Sequence, residues 1–289
     1  MTSSWMLVAG FLFAAAGVLV KLGADDFSAA ELSFYRSLFT MVAAYGFIRA
    51  TGGTVKSAYL GTHIIRGLVG GISLLGFYYA ITQLPLSTAQ TLNYTSPIFL
   101  AIATTVVLRE RFSPWLIVAI VLGFAGVAML LQPRFGGGKE FAAMVGLFSG
   151  VLASWAYLSV RTLGRLGEPD WRVVFWFGTV ATLLCFTWQV ASGGFHAISW
   201  RSVPILLGLG VSGVLAQLAM TRAYRTGNTL VVGAYSYSAI VFATLATLVL
   251  WDERLSTLEW AGMAVIAASG ILAMRVEKKE HLEEGGFDS

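Results

Sequence analysis

Residues 94–113 read YTSPIFLAIATTVVLRERFS, and residues 237–256 read YSAIVFATLATLVLWDERLS. The stretches are offset by 143 residues and agree at 8 of 20 positions. Apolar runs resemble one another by chance, so the polar matches weigh most: Tyr94 with Tyr237, and Glu110, Arg111 and Ser113 with Glu253, Arg254 and Ser256. The same offset brings Gly67, Gly70, Leu75 and Ala80 onto Gly210, Gly213, Leu218 and Ala223. After a one-residue gap, Gly126 falls on Gly270. The chain reads as a duplication.

What is duplicated follows from the apolar runs around these stretches. Of 289 residues, 57% are hydrophobic and only 12% are charged, about half the charge of an average soluble domain. A helix crossing a bilayer needs about 20 mostly apolar residues. Such runs recur near 5–22, 29–49, 63–83, 87–108, 114–131, 141–162, 172–191, 202–222, 229–250 and 257–274. The expected fold is an all-α integral membrane protein, with ten transmembrane helices as two inverted five-helix repeats around a central cavity. The first repeat is placed at 1–134 and the second at 135–276, with a polar, disordered cytoplasmic tail at 277–289. An odd number of helices per half makes the second half enter from the opposite side, a construction common in secondary transporters. Residues 1–20 have no basic n-region and no small-residue cleavage site, so they read as a first span. Capping boxes are expected at Ser28–Glu31, Ser87–Gln90 and Ser256–Glu259, and Ser113-Pro114 suits a helix start.

Lysine and arginine set the orientation. With the N-terminus inside, 13 fall on the inner side: Arg49, Lys56, Arg66, Arg109, Arg111, Arg161, Arg165, Arg172, Arg222, Arg225, Arg275, Lys278 and Lys279. Five fall outside: Lys21, Arg134, Lys139, Arg201 and Arg254. The positive-inside rule then places both termini in the cytoplasm, in a cell inner (plasma) membrane. The net charge of +4 and the pI near 9.3 are accounted for by this topology, so no nucleic-acid partner is implied.

Several motifs resemble a known family. Lys21 ends the first helix, Phe34-Tyr35-Arg36 lies in the second, and His63-Ile-Ile-Arg66-Gly67 opens the third. Leu84-Pro85-Leu86-Ser87-Thr88-Ala89 joins the third to the fourth, which contains Ser96-Pro97, and each half carries its E-R-x-S break. In this order, and with the duplication, the chain resembles the drug/metabolite transporter superfamily, in its EamA branch, over essentially its whole length. The resemblance implies ten helices, internal termini and a cavity between the halves. It also implies export of small metabolites such as amino acids, with an aromatic amino-acid exporter as the first comparison. Other branches move riboflavin, purines or nucleobases, S-adenosylmethionine or nucleotide sugars. Ile240 stands where the first half has Pro97, which leaves open whether the two helices bend alike.

Candidate substrate-binding residues follow from the cost of polar groups in lipid. Arg36 lies about 10 Å into the second helix at 1.5 Å per residue, where a charge should face protein or a water-filled cavity. Two roles stand side by side: contact with a substrate carboxylate, or a pair with a helix end or backbone carbonyls. Glu31 fits the capping box and is also a candidate for coupling. Asn93, Tyr94, Ser96 and Pro97 in the fourth helix, and Tyr235, Tyr237 and Ser238 in the ninth, should face inward. Pro97 also frees the carbonyl of Asn93. Tyr78, Tyr79, Trp155 and Tyr157 are candidates to stack on a ring-bearing substrate, with packing as the competing role, and Gln217 is a further polar candidate.

Chemistry finds little support. Cys185 stands alone in an apolar run, and His63, His196 and His281 are far apart, so neither metal nor cofactor is expected. Gly208–Gly213 matches G-x-G-x-x-G without a preceding strand, and Gly137-Gly138-Lys139-Glu140 lacks the hydroxyl residue of a phosphate-binding loop. The reading is a secondary transporter exporting small metabolites, amino acids first, as a monomer or weak homodimer, with the bilayer and a small-molecule substrate as its partners. A polytopic enzyme acting on lipid is the alternative of another class, and it would need acidic or histidine clusters at a membrane face.

Overall fold

The computed structural model describes residues 2–84, 86–107, 113–132, 139–251 and 256–285. Pro85, Arg109, Glu110, Arg111, Arg134, Gly137, Gly138, Glu253 and Arg254 lie outside the described residues, as do the side chains of Ser87, Thr88, Lys278, Lys279 and His281. Regular structure among the described residues is helical: α1 (Trp5–Gly23), α2 (Ala29–Ala50), α3 (Leu60–Gln83), α4 (Leu86–Asn93), α5 (Ser96–Val107), α6 (Pro114–Leu131), α7 (Glu140–Arg165), α8 (Asp170–Ala191), α9 (Val203–Thr226), α10 (Thr229–Ser236), α11 (Ser238–Trp251) and α12 (Thr257–Gly285). Six stretches are long and apolar enough to cross a membrane: 5–23, 60–83, 140–165, 170–191, 203–226 and 229–246. Large apolar side chains such as Phe11, Trp115, Phe141, Trp200 and Val249 face outward, as a surface in contact with lipid requires. The chain is a multi-pass membrane protein.

Local chemistry explains the helix ends. Ser28 Oγ accepts from Glu31 N at 3.2 Å, and Ser28 N donates to Glu31 Oε2 at 2.8 Å. Ser256 and Glu259 make the same reciprocal pair. Pro114 occupies the first position of α6, but the Ser113 side chain makes no cap. The last helix runs past the apolar stretch to Gly285, through a charged segment rich in the good helix formers Glu and Lys.

The stretches expected as single helices at 87–108 and 229–250 are each broken in two, at positions matched by the repeat. The first break falls at Tyr94–Thr95 and the second at Tyr237. Pro97 has no N–H to give Asn93, and Thr95 Oγ1 donates to Leu92 O at 2.6 Å. The second half reaches the same end without proline: Ser236 Oγ donates to Gly233 O at 2.7 Å. Ser and Thr hydroxyls compete in this way for helix carbonyls.

Packing is by close helix pairs. Helix α2 lies along α8, α6 along α12, α3 along α7, and α1 along α9. The broken helix α4–α5 rests on α7, and α10–α11 rests on α1. Water drives no burial between helices inside a bilayer, so small residues that let backbones approach carry more of the association. A Cβ on Gly150 of α7 would lie 2.9 Å from Leu92 O and 3.0 Å from Asn93 O. The carbonyl freed by Pro97 is therefore turned against α7. On the other side, a Cβ on Gly10 of α1 would meet Ser238 Oγ at 2.6 Å and Ala239 N at 3.1 Å. Each break is seated on a glycine.

Gly150→Ala forces a methyl against two backbone carbonyls that no rotamer change can move. We expect a loss of about 1–3 kcal/mol, the usual cost of overpacking, seen as a lower melting temperature in detergent. An unchanged melting temperature would show that the contact is loose.

Candidate functional site

The helices enclose a cavity of about 160 Å³, measured for the centres of water-sized molecules. One water needs roughly 10–15 Å³ on that measure, so the space holds on the order of ten waters, enough for a small metabolite. Along α1 its wall runs from Met6 to Lys21, about 22 Å at 1.5 Å per residue. Helices α2, α3, α7, α8 and α9 and both broken helices complete it. The wall is mainly apolar, and none of its residues is Asp or Glu.

Seven of the residues singled out from sequence meet here: Arg36, Tyr78, Asn93, Tyr94, Ser96, Tyr157 and Gln217. Arg36 is 7% exposed, and its Nε has no partner. Its guanidinium lies 5.5 Å from the centre of the Phe13 ring. Asn93 Nδ2 donates to Ser149 Oγ at 3.0 Å, which fixes the end of α4 to α7. Tyr157 stacks on Tyr224 with ring centres 4.8 Å apart. Gln217 is buried with its Nε2 unpartnered.

The other candidates lie elsewhere. Tyr79 packs edge-on to Phe141, and Trp155 is 47% exposed on the outer face. Tyr235 belongs to the apolar core around Leu230 and Ala273. Tyr237 is fully buried among Val127, Leu130, Ile240 and Ile266. Ser238 faces Gly10, and Pro97 faces Gly233. Glu31 is held at the end of α2: besides its cap, it accepts from His196 N at 2.6 Å, and His196 Nδ1 lies 2.8 Å from its other oxygen.

Sequence reasoning missed Arg66. The topology count places it with the inner-side cations at the start of the third helix, but its side chain enters the cavity wall, 2% exposed. Without it the charge balance is 12 against 5, and the sign is unchanged. Its guanidinium sits 4.4 Å from the centre of Phe177, and its Nε and Nη1 have no partner. The signal available beforehand was Gly70, one turn further along the helix. A Cβ there would fall 2.1 Å from Arg66 Nη1, so the glycine leaves the guanidinium its space. Gly213, its repeat mate, does the same for Arg36, with a Cβ 2.9 Å from Arg36 Cγ.

The end of α3 that carries His63 is tied shut. Glu168, in the α7–α8 turn, is 5% exposed. It meets His63 Nε2 at 3.0 Å, Arg172 Nη1 at 3.1 Å and Ser57 Oγ at 2.9 Å. Arg172 also donates to Thr54 O at 3.0 Å, and Arg225 pairs with Asp170 at 2.9 Å. One carboxylate thus joins the α2–α3 loop to the starts of α3 and α8. Burial alone would raise the Glu168 pKa, but hydrogen bonds from His63, Ser57 and Arg172 outweigh it and hold the group below its usual range. No group of three metal-binding side chains occurs among the described residues.

The comparisons agree with this architecture. The profile described as the EamA-like transporter family matches residues 1–132. The pseudopaline exporter CntI of Pseudomonas aeruginosa is 30% identical over 275 residues, covering 94% of this chain and 95% of its own. The chain belongs to the EamA-like transporter family. An uncharacterized transporter of Helicobacter pylori is 27% identical over 93% of each chain, and a riboflavin transporter of Rhizobium johnstonii is 23% identical over 95% of this chain and 91% of its own. One crystal structure superimposes with a TM-score of 0.80 at 19% identity, over 96% of this chain and 98% of its own, which fixes the fold alone.

Glu168→Ala should cost about 3 kcal/mol, because it strands the buried His63 and the partly buried Arg172. Since the folded pKa of Glu168 is lowered, its contribution is complete above the unfolded value near 4.5 and fades as pH falls through the folded value. The melting-temperature gap between wild type and Glu168→Ala should therefore narrow below a pH of about 4.5. A constant gap would show that the ionised carboxylate is not what ties this end.

Proposed function

We propose that this chain is a secondary transporter that exports small carboxylate-bearing metabolites, amino acids first, across the inner membrane. Ten spans, arranged as two inverted five-helix repeats with both termini in the cytoplasm, present the cavity to each side in turn. The two broken helices count as one span each. The observation that carries the reading is Arg36, a buried guanidinium with no ion pair among the described residues, facing a metabolite-sized cavity.

The helix pairing supports the inverted repeat. Exchanging each helix for its repeat mate turns α1 on α9 into α7 on α3, and turns the contact of α3 with α8 into that of α9 with α2. The pairs α2–α8 and α6–α12 map onto themselves, as a two-fold axis between halves requires. The name of the Pseudomonas relative supports export of a metabolite. Relatives named as riboflavin and S-adenosylmethionine uptake transporters mark the alternatives, but a cavity wall with cations and no acid disfavours a sulfonium cation. No phosphate-binding loop is read from the sequence, so ion or substrate gradients drive net flux.

The test is uptake into proteoliposomes of a panel of amino acids, riboflavin, purines and S-adenosylmethionine. Saturable flux of amino acids is expected. Arg36→Ala should reduce it by roughly 30-fold or more, the loss of a desolvated charge contact worth at least about 2 kcal/mol. Unchanged flux through a folded variant would remove Arg36 from the site.

A further inference from the structure

The cavity contains more positive charge than one carboxylate can answer. Arg36 and Arg66 both line it, both are more than nine-tenths buried, and neither has an acidic partner among the described residues. Every buried side-chain atom of the wall that lacks a hydrogen bond is a nitrogen: Arg36 Nε, Arg66 Nε and Nη1, and Gln217 Nε2. The missing partner is therefore an acceptor. Water can accept these bonds, but it leaves two desolvated charges uncompensated.

The Arg36 guanidinium donates a hydrogen bond to Tyr78, and the remaining neighbours present the two guanidiniums rather than neutralise them. Phe13 and Phe177 lie against them at 5.5 and 4.4 Å, while Gly213 and Gly70 clear the space beside them. A guanidinium supported on a ring keeps its N–H edge for a planar carboxylate, which it grips with two parallel bonds. The two arginines stand on different helices, α2 and α3, each against its own ring, and two positive charges call for two negative ones to balance them.

Resting on the transport reading above, we propose that the substrate carries two anionic groups, a dicarboxylate or an amino acid with a second carboxylate, and that Arg66 holds the second one. Arg36 and Arg66 then act as a pair whose mutual repulsion is relieved when the substrate arrives.

The test uses isosteric probes on the full chain in proteoliposomes: glutamate against glutamine, and succinate against butyrate. The dianionic member of each pair should be taken up with at least tenfold higher affinity. Arg66→Gln should abolish that preference and retain uptake of the monocarboxylate, with Arg66→Lys intermediate, because an ammonium keeps the charge and loses the fork. Removing an unsatisfied buried charge should leave the melting temperature of the unliganded protein unchanged or higher. A lower melting temperature with the preference intact makes Arg66 structural and overturns the assignment. Uptake of glutamine or butyrate without preference for the dianions overturns the assignment alone, and no saturable flux of any probe overturns it together with the transport reading. Should Arg66→Gln fail to fold, Arg66→Lys decides: an undiminished preference overturns the assignment.

Discussion

Lipid offers no water to a backbone carbonyl that has lost its helical partner, and this chain breaks two helices inside the molecule. The breaks survive because each is answered locally and then covered. Thr95 and Ser236 return hydroxyls to nearby carbonyls, and Gly150 and Gly10 let a neighbouring helix close over the break. Much else depends on this arrangement. The bends put Asn93, Tyr94, Ser96 and Ser236 on the cavity wall, and an unbroken pair of helices in their place would not present these groups together.

Charge is distributed unequally along the resulting wall. In the cavity wall Arg36 and Arg66 have no acidic partner among the described residues, while at the His63 end charges are paired through Glu168, Arg172, Asp170 and Arg225. Paired, buried charges hold segments in register at little net gain in stability. Unpaired ones are a standing cost. His63 and Arg66, neighbours on the first turns of α3, stand on the two sides of this contrast.

Membership of the EamA-like family accounts for the fold, but the relatives' names span a pseudopaline exporter, a riboflavin transporter and an S-adenosylmethionine uptake transporter. Substrate choice therefore rests on a small number of side chains in a common frame. Here the wall offers arginines, aromatic rings and two glutamines, Gln90 and Gln217, and no acid among the described residues. Shape supplies the rest of the selection: the space is that of a small metabolite.

The sequence by itself determined the helical character, most helix boundaries to within a few residues, the capping boxes at Ser28 and Ser256, and the repeat that pairs Tyr94 with Tyr237, but not the breaks that fall there. These are local properties: an apolar run long enough to span, a hydroxyl three residues before a carboxylate, a proline within a helix. It also located Arg36, because a charge inside such a run is conspicuous. Only the tertiary structure decided which face of each helix turns inward. In a soluble protein the polar face answers that question, but here lipid-facing and core-facing sides are both apolar, and periodicity loses its meaning. Trp155 points outward while Tyr157, two residues on, reaches the cavity; Tyr79 turns away from Tyr78; Tyr237 is sealed in the core. Arg66 was hidden for a related reason: in the first turn of the expected helix at 63–83 its charge counts toward topology, and only packing shows that its side chain turns to the cavity wall.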